Sequence, residues 1–207
     1  MTESSLPADV YLLGCDMDKR RLRGRWRVGI VLRAAALVEL VSRDKLGDDS
    51  GRVTVTDSGP TGDAFLDTVL GEIAARPGKR WRYWIRRHDS AAVRMIQDEL
   101  VLDKAIRVTP RRIRADEVSV VDTGRVKRLR KNVTGLLDGG RPADPAEGVL
   151  AALVAAGELG GIAGSRRRRA AMGRLPELTA RNPKLDTVIR GLDKTRRDKM
   201  SAAYGGF

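Results

Sequence analysis

A chain of 207 residues that is 42% hydrophobic but only 4% aromatic can build one sizeable core, mostly from Leu, Val, Ile and Ala. Its formal net charge of +13 predicts attraction to polyanions: nucleic acid, an anionic membrane or an acidic protein surface. No apolar run approaches the ~18 residues of a membrane span, the opening MTESSLPADV carries no secretory signal, and the single cysteine, Cys15, excludes an intrachain disulfide and fits a reducing cytoplasm.

Residues 1–5 read as a flexible N-terminus and residues 6–204 as a single domain. Pro7 to Cys15 carries Val10, Tyr11, Leu12 and Leu13 ahead of the charged run DMDKRRLRGR. VGIVLRAAALVEL, Val28 to Leu40, is apolar on most faces and predicts a largely buried helix. Arg33 stands inside it; because an unpaired charge there is costly, it either pairs with a carboxylate or lines a polar pocket. DKLGDDSG is a turn-rich break, and RVTVT alternates as a short strand would. From Asp63, Phe65, Leu66, Val69, Leu70 and Ile73 recur at helical spacing, with Asp67 and Glu72 pointing elsewhere, until Pro77-Gly78. Helix resumes from about Arg80 to Lys104 with a break near His88 to Ser90, and IRVTPRRIRADEVSVV reads as a short hairpin. Val126, Leu129, Val133, Leu136 and Leu137 predict another helix, stopped by Gly139-Gly140. Asp144, Pro145 and Glu147 then supply an N-cap, a first-turn proline and a capping-box carboxylate for VLAALVAAGEL. Beyond Gly160-Gly161 the chain reads as helical, polar and basic. The class is mainly α: a single-domain helical bundle with one or two short β-hairpins.

Catalytic and metal chemistry lack parts. In SGPTGDAFLD, Gly59 and Gly62 stand without the Lys-Ser/Thr pair of a phosphate loop, and Asp63 repels an anion while offering a helix cap. His88 is the only histidine, the carboxylates show no paired spacing, and Cys15 beside Leu13-Gly14 reads as a small packed residue. The expectation is a protein that is not an enzyme and needs no cofactor. Basic features are richer. KRWRYWIRR, Lys79 to Arg87, interleaves Trp81, Tyr83 and Trp84 with five cations, as a base-stacking platform or an interfacial membrane anchor would. The plainer reading buries Trp84 and Ile85 with arginines reaching outward, and leaves Trp81 open. SRRRR, Ser165 to Arg169, opens a stretch in which residues 160 to 200 carry 12 Lys/Arg against 4 Asp/Glu, so +8 of the +13 lies there.

Read together, these pieces resemble the Golgi phosphoprotein family, whose eukaryotic members bind phosphatidylinositol 4-phosphate. LPADVYLLGCDMDKRRLRG is similar to the family's opening helix and charged turn. LRAAALVELVSRDKL carries its E-L-x-x-R-x-x-L continuation through Glu39, Leu40, Arg43 and Leu46. Pro60 to Asp67 carries the P-T-G-D-x-x-L-D signature, Trp84-Ile85 matches a Trp-Ile pair, and DPAEGVLAALVAAGEL resembles its Asp-initiated late helix. The Arg/Ala/Gly-rich composition suggests a bacterial member.

The resemblance implies a mainly helical domain and non-catalytic lipid-headgroup binding, peripheral on the cytosolic membrane face. The family's pocket uses a Trp before the second helix, an Arg inside it and arginines in a later helix. Those roles fall here on Trp26, Arg33 and Arg94; a second late arginine is replaced by Ala91, for which Arg86 or Arg87 would compensate. Arg166, Arg167, Arg168 and Arg169 would add nonspecific membrane attraction. The implied partner is an anionic membrane lipid, a phosphoinositide, with a membrane-enzyme client and self-association left open. The family's hairpin has an apolar tip, whereas TPRRIRADE is charged. The alternative function is a basic nucleic-acid-binding protein using Lys79 to Arg87 and the basic tail.

Overall fold

The computed structural model describes residues 5–111, 116–142 and 144–204, so the expected N-terminal tail, Ser5 excepted, and part of the hairpin tip lie outside the described residues. Helix α1 (Leu6–Gly14) begins where the Ser5 hydroxyl accepts the Ala8 N–H and Pro7 fills the first turn. A tight turn joins strands β1 (Cys15–Asp16) and β2 (Arg21–Leu22), and α2 (Arg25–Ser42) follows. From Val28 to Val41 every residue of α2 except Glu39 is buried. Such a helix has no solvent face, and it runs through the middle of the molecule with six of the other helices packed against it. Each fully buried Leu, Ile or Val there contributes about 1.5–3 kcal/mol.

Strands β3 (Leu46–Asp49) and β4 (Arg52–Val55) pair antiparallel, Leu46 opposite Val55. The segment expected as a plain break is thus itself a strand, because the RVTV strand supplies its hydrogen bonds. Helix α3 (Ala64–Ala74) is capped by Asp63, whose Oδ1 accepts the Leu66 N–H at 2.9 Å, as the sequence predicts. Around that cap the two family markers interlock. The Thr61 N–H and hydroxyl both donate to Asp67 Oδ1 at 2.7 Å, while Arg43 donates to Thr61 O and pairs with Glu39. Gly62 makes the turn at φ +80°, where a side chain would be strained. The loop is a clasp on the C-terminal end of α2, with its polar groups satisfied internally.

Short α4 (Trp81–Arg86) and α5 (Asp89–Leu102) come from the expected broken helix, and His88 makes the break at φ 52°. Strands β5 (Ile106–Thr109) and β6 (Glu117–Val120) form the expected hairpin. Helices α6 (Thr123–Leu137), α7 (Pro145–Gly157), α8 (Ser165–Gly173), α9 (Leu175–Leu178) and α10 (Pro183–Tyr204) complete ten helices and three two-stranded sheets among the described residues. The class is mainly α, with one hairpin more than expected, because β1 and β2 are too short to carry an alternation. The terminal helix departs from the polar reading. Leu185, Val188, Ile189 and Leu192 bury one face of α10 against α2, α4 and α7. No helix of the described residues is long and apolar enough to cross a membrane.

Candidate anion-binding site

Arg33 has a carboxylate partner. Its side chain is 2% exposed; Nη2 lies 2.8 Å from Glu72 Oε2 of α3, and Nε donates to the Trp84 carbonyl at 3.2 Å. Burial lowers the guanidinium's pKa and the Glu72 charge opposes that shift. The same Glu72 oxygen stands 3.9 Å from Arg87 Nε, so one carboxylate lies between a buried and a half-buried arginine.

Arg87 carries the cluster outward. With Arg82, Tyr83, Arg86 and His88 it lines an open depression of about 490 Å³ on the surface of α4. Tyr83 is at its centre: Lys79 and Arg87 stack on the ring at 5.6 and 5.7 Å, and Arg87 donates to the phenol at 3.1 Å. Hydrogen bonding from Arg76, with the charges of Arg87 and Lys79, draws the phenol pKa down. Arg82 is neutralised by Asp198 of α10. Among the described residues Arg76, Lys79 and Arg86 have no carboxylate within ion-pair distance, so the depression and its surroundings carry more positive than negative charge.

Trp26, at the start of α2, lies beside this cluster. The Cβ position of Gly29 comes within 2.5 Å of the Asp89 carbonyl, so only glycine lets α2 approach the first turn of α5 so closely. Asp89 holds Lys199 of α10 at 2.5 Å, and Lys199 in turn lies 5.7 Å from the Trp26 ring, with Arg27 at 5.3 Å. Trp26 is half-buried. Its ring is linked through Lys199 and Asp89 to the residue after His88, but it is not among the residues that line the depression.

The predicted residues thus fall in different settings. Arg86 and Arg87 line the depression, Arg33 lies behind it at Glu72, and Trp26 is outside its lining. Arg94 is exposed on α5, and among the described residues no hydrogen bond or ion pair ties it to Arg33 or Trp26. In the basic run, Arg167 is held by Asp138 through two bonds of 2.8 Å, and Arg168 by Glu158 and Asp193, leaving Arg166 and Arg169 exposed. Trp81 and Trp84 are both buried, Trp81 donating to Asp48, so neither indole is available to stack on a base. Cys15 is wholly buried, and burial pushes its thiol up to about 12. The sequence offers Lys79 for the nucleic-acid alternative, places Glu72 only on the non-core face of its helix, and gives Lys199 no role. For Lys79 the signal was present in KRWRYWIRR; Glu72 and Lys199 enter only through the fold.

A larger cavity, about 680 Å³, opens at the other end of α2 between α1, α6 and α7. Its floor is apolar, and its rim carboxylates are already engaged: Glu39 by Arg43 and the Leu6 N–H, Asp9 by Arg125, Asp144 by the Ala146 N–H. Size alone favours it, but its rim carboxylates oppose an anion, whereas the depression on α4 presents cations, and charge is what an anion recognises.

A search of curated proteins returned no match to the chain. The family model for Golgi phosphoprotein 3 (GPP34) matches residues 6–194. That span takes in the α2–α3 clasp, the buried Arg33, the basic depression and most of α10, and the chain belongs to the Golgi phosphoprotein 3 (GPP34) family.

Proposed function

We propose that this protein is a non-catalytic peripheral membrane protein that binds the phosphorylated headgroup of an anionic lipid, a phosphoinositide, from the cytosolic face. The observation that carries the reading is the cluster of Arg76, Lys79, Arg86 and Arg87 around Tyr83, for which Glu72 is the one carboxylate within 4 Å among the described residues, with Trp26 reached through the Lys199–Asp89 pair. Phosphate oxygens suit such a site, since each arginine presents several donors and its hydrogen bonds are charge-assisted. An indole beside it favours the membrane interface, where its apolar body and polar N–H are both accommodated. Arg86 and Arg87 are the direct contacts in this reading, and Arg33 supports them from below through Glu72. The nucleic-acid alternative loses its stacking platform with the burial of Trp81 and Trp84.

The test is sedimentation with liposomes of graded phosphoinositide content. Binding should rise with that content, and Arg86→Ala should weaken it about 5-fold, the contribution of one basic residue near an anionic surface. Arg86 is exposed and makes no ion pair among the described residues, so this variant should melt like the wild type. Equal sedimentation with and without phosphoinositide would overturn the reading.

A further inference from the structure

We infer that Glu72 is a built-in competitor of the site's anionic ligand, an internal carboxylate that holds the Arg33–Arg87 pair and sets the affinity low. The inference rests on the proposed lipid-headgroup site and adds a residue to it. Three observations converge. Among the described residues Glu72 carries the one carboxylate within 4 Å of both guanidiniums, 2.8 Å from Arg33 Nη2 and 3.9 Å from Arg87 Nε. The first contact is a hydrogen bond; the second is too long for one, so Arg87 is attracted to Glu72 without being locked to it. Arg87 Nε is also buried with no hydrogen-bond partner, which leaves a charged donor unsatisfied. Arg87 is 23% exposed and lines the depression, so a modest swing of its side chain carries that donor from Glu72 to an incoming phosphate oxygen.

The electrostatics make the inference quantitative. A carboxylate a few Å behind the site lowers the potential felt by any anion bound in front of it, and the penalty is proportional to the ligand's charge. A phosphomonoester carries about −1.5 to −2 charges at neutral pH, whereas a phosphodiester headgroup carries one. Removing the Glu72 charge should therefore strengthen binding of both, by about 3-fold for the singly charged headgroup and about 10-fold for the doubly charged one, in a water-like dielectric. A purely structural role for Glu72 predicts no gain and no dependence on ligand charge.

The experiment compares wild type and Glu72→Gln on phosphatidylcholine vesicles containing phosphatidylinositol 4-phosphate, and on vesicles matched in surface charge with phosphatidylglycerol. A titration with inorganic phosphate runs alongside. The expected result is tighter binding to both vesicles, with the larger gain on the phosphomonoester. Unchanged or weaker binding by folded Glu72→Gln, or equal gains on both, overturns the inference. A gain seen with inorganic phosphate and with neither vesicle keeps the role of Glu72 and overturns the lipid as ligand. Should Glu72→Gln fail to fold, Glu72→Met removes the same single charge with an apolar side chain of similar length and leaves Arg33 in place. That variant must show the same charge-dependent gain. Loss of binding in Arg86→Ala without any gain in the Glu72 variants would sink the competitor role alone, whereas an unaffected Arg86→Ala would sink the site itself.

Discussion

At the scale of the residue, Arg33 is the clearest case of a sequence anomaly with a physical cause. A guanidinium inside an apolar helix announces a partner, and that much is legible in the sequence because the alternative is prohibitive. The partner is not legible. Glu72 is 39 positions away on a helix whose own periodicity assigns it merely to the non-core face. Only packing of α3 beside α2 turns that face toward Arg33. Arg33→Ala should therefore act first on stability, costing about 3–5 kcal/mol as for a broken buried pair. Urea unfolding measures it, and a variant as stable as wild type would contradict the pairing. Arg33→Lys should recover only part of the loss, since one ammonium replaces a planar fork that serves both the Trp84 carbonyl and Glu72. Loss of lipid binding in either variant needs reading beside the melting curve.

At the scale of the element, local signals were sufficient wherever one helix end or one turn decided the outcome. Asp63 and Asp144 each cap the helix expected of them, and the chain breaks at His88 as predicted. They failed where pairing is remote: LGDD becomes a strand only opposite RVTV. In α10 the spacing Leu185, Val188, Ile189, Leu192 is itself a helical stripe, masked in a reading dominated by charge. The C-terminal end of α5 shows a consequence that no local signal gives. Glu99 is pushed up to about 7, by burial first and then by Asp63, Asp103 and Glu39. The folded chain thus holds a proton that the unfolded chain releases near its ordinary value of 4.5. Stability from this group is lost as pH rises from about 4.5 to about 7 and is flat above that window. Glu99→Gln should flatten the dependence and raise the melting temperature at pH 8 more than at pH 5. Equal shifts at both pH values would argue against the raised carboxyl.

For the whole molecule, the net charge of +13 was legible from composition, but its placement required the fold. The N-terminal end of α2 gathers the basic elements. Lys199 of α10, paired with Asp89, reaches the Trp26 ring there, and the α7–α8 link approaches Arg23 at Gly161. The opposite end holds the apolar cavity with its engaged carboxylates. Attraction of a molecule of net charge +13 to an anionic surface is screened over the ~8–10 Å Debye length of ordinary salt. The run Arg166 to Arg169 tests how such attraction is built. Composition counts four equal cations; the fold commits Arg167 and Arg168 to carboxylates and leaves Arg166 and Arg169 to solvent. Arg166→Ala/Arg169→Ala should weaken binding to anionic vesicles by up to about 30-fold at low salt, at roughly 1 kcal/mol per basic residue near the surface. The effect should vanish near 1 M salt, and the melting temperature should not move. Arg168→Ala should do the reverse, because it leaves Asp193, with a side chain 9% exposed, short of one of its partners. It should melt earlier and lose less salt-dependent binding. If all four arginines proved equivalent in both assays, the division between surface charge and structural ion pairs would be wrong.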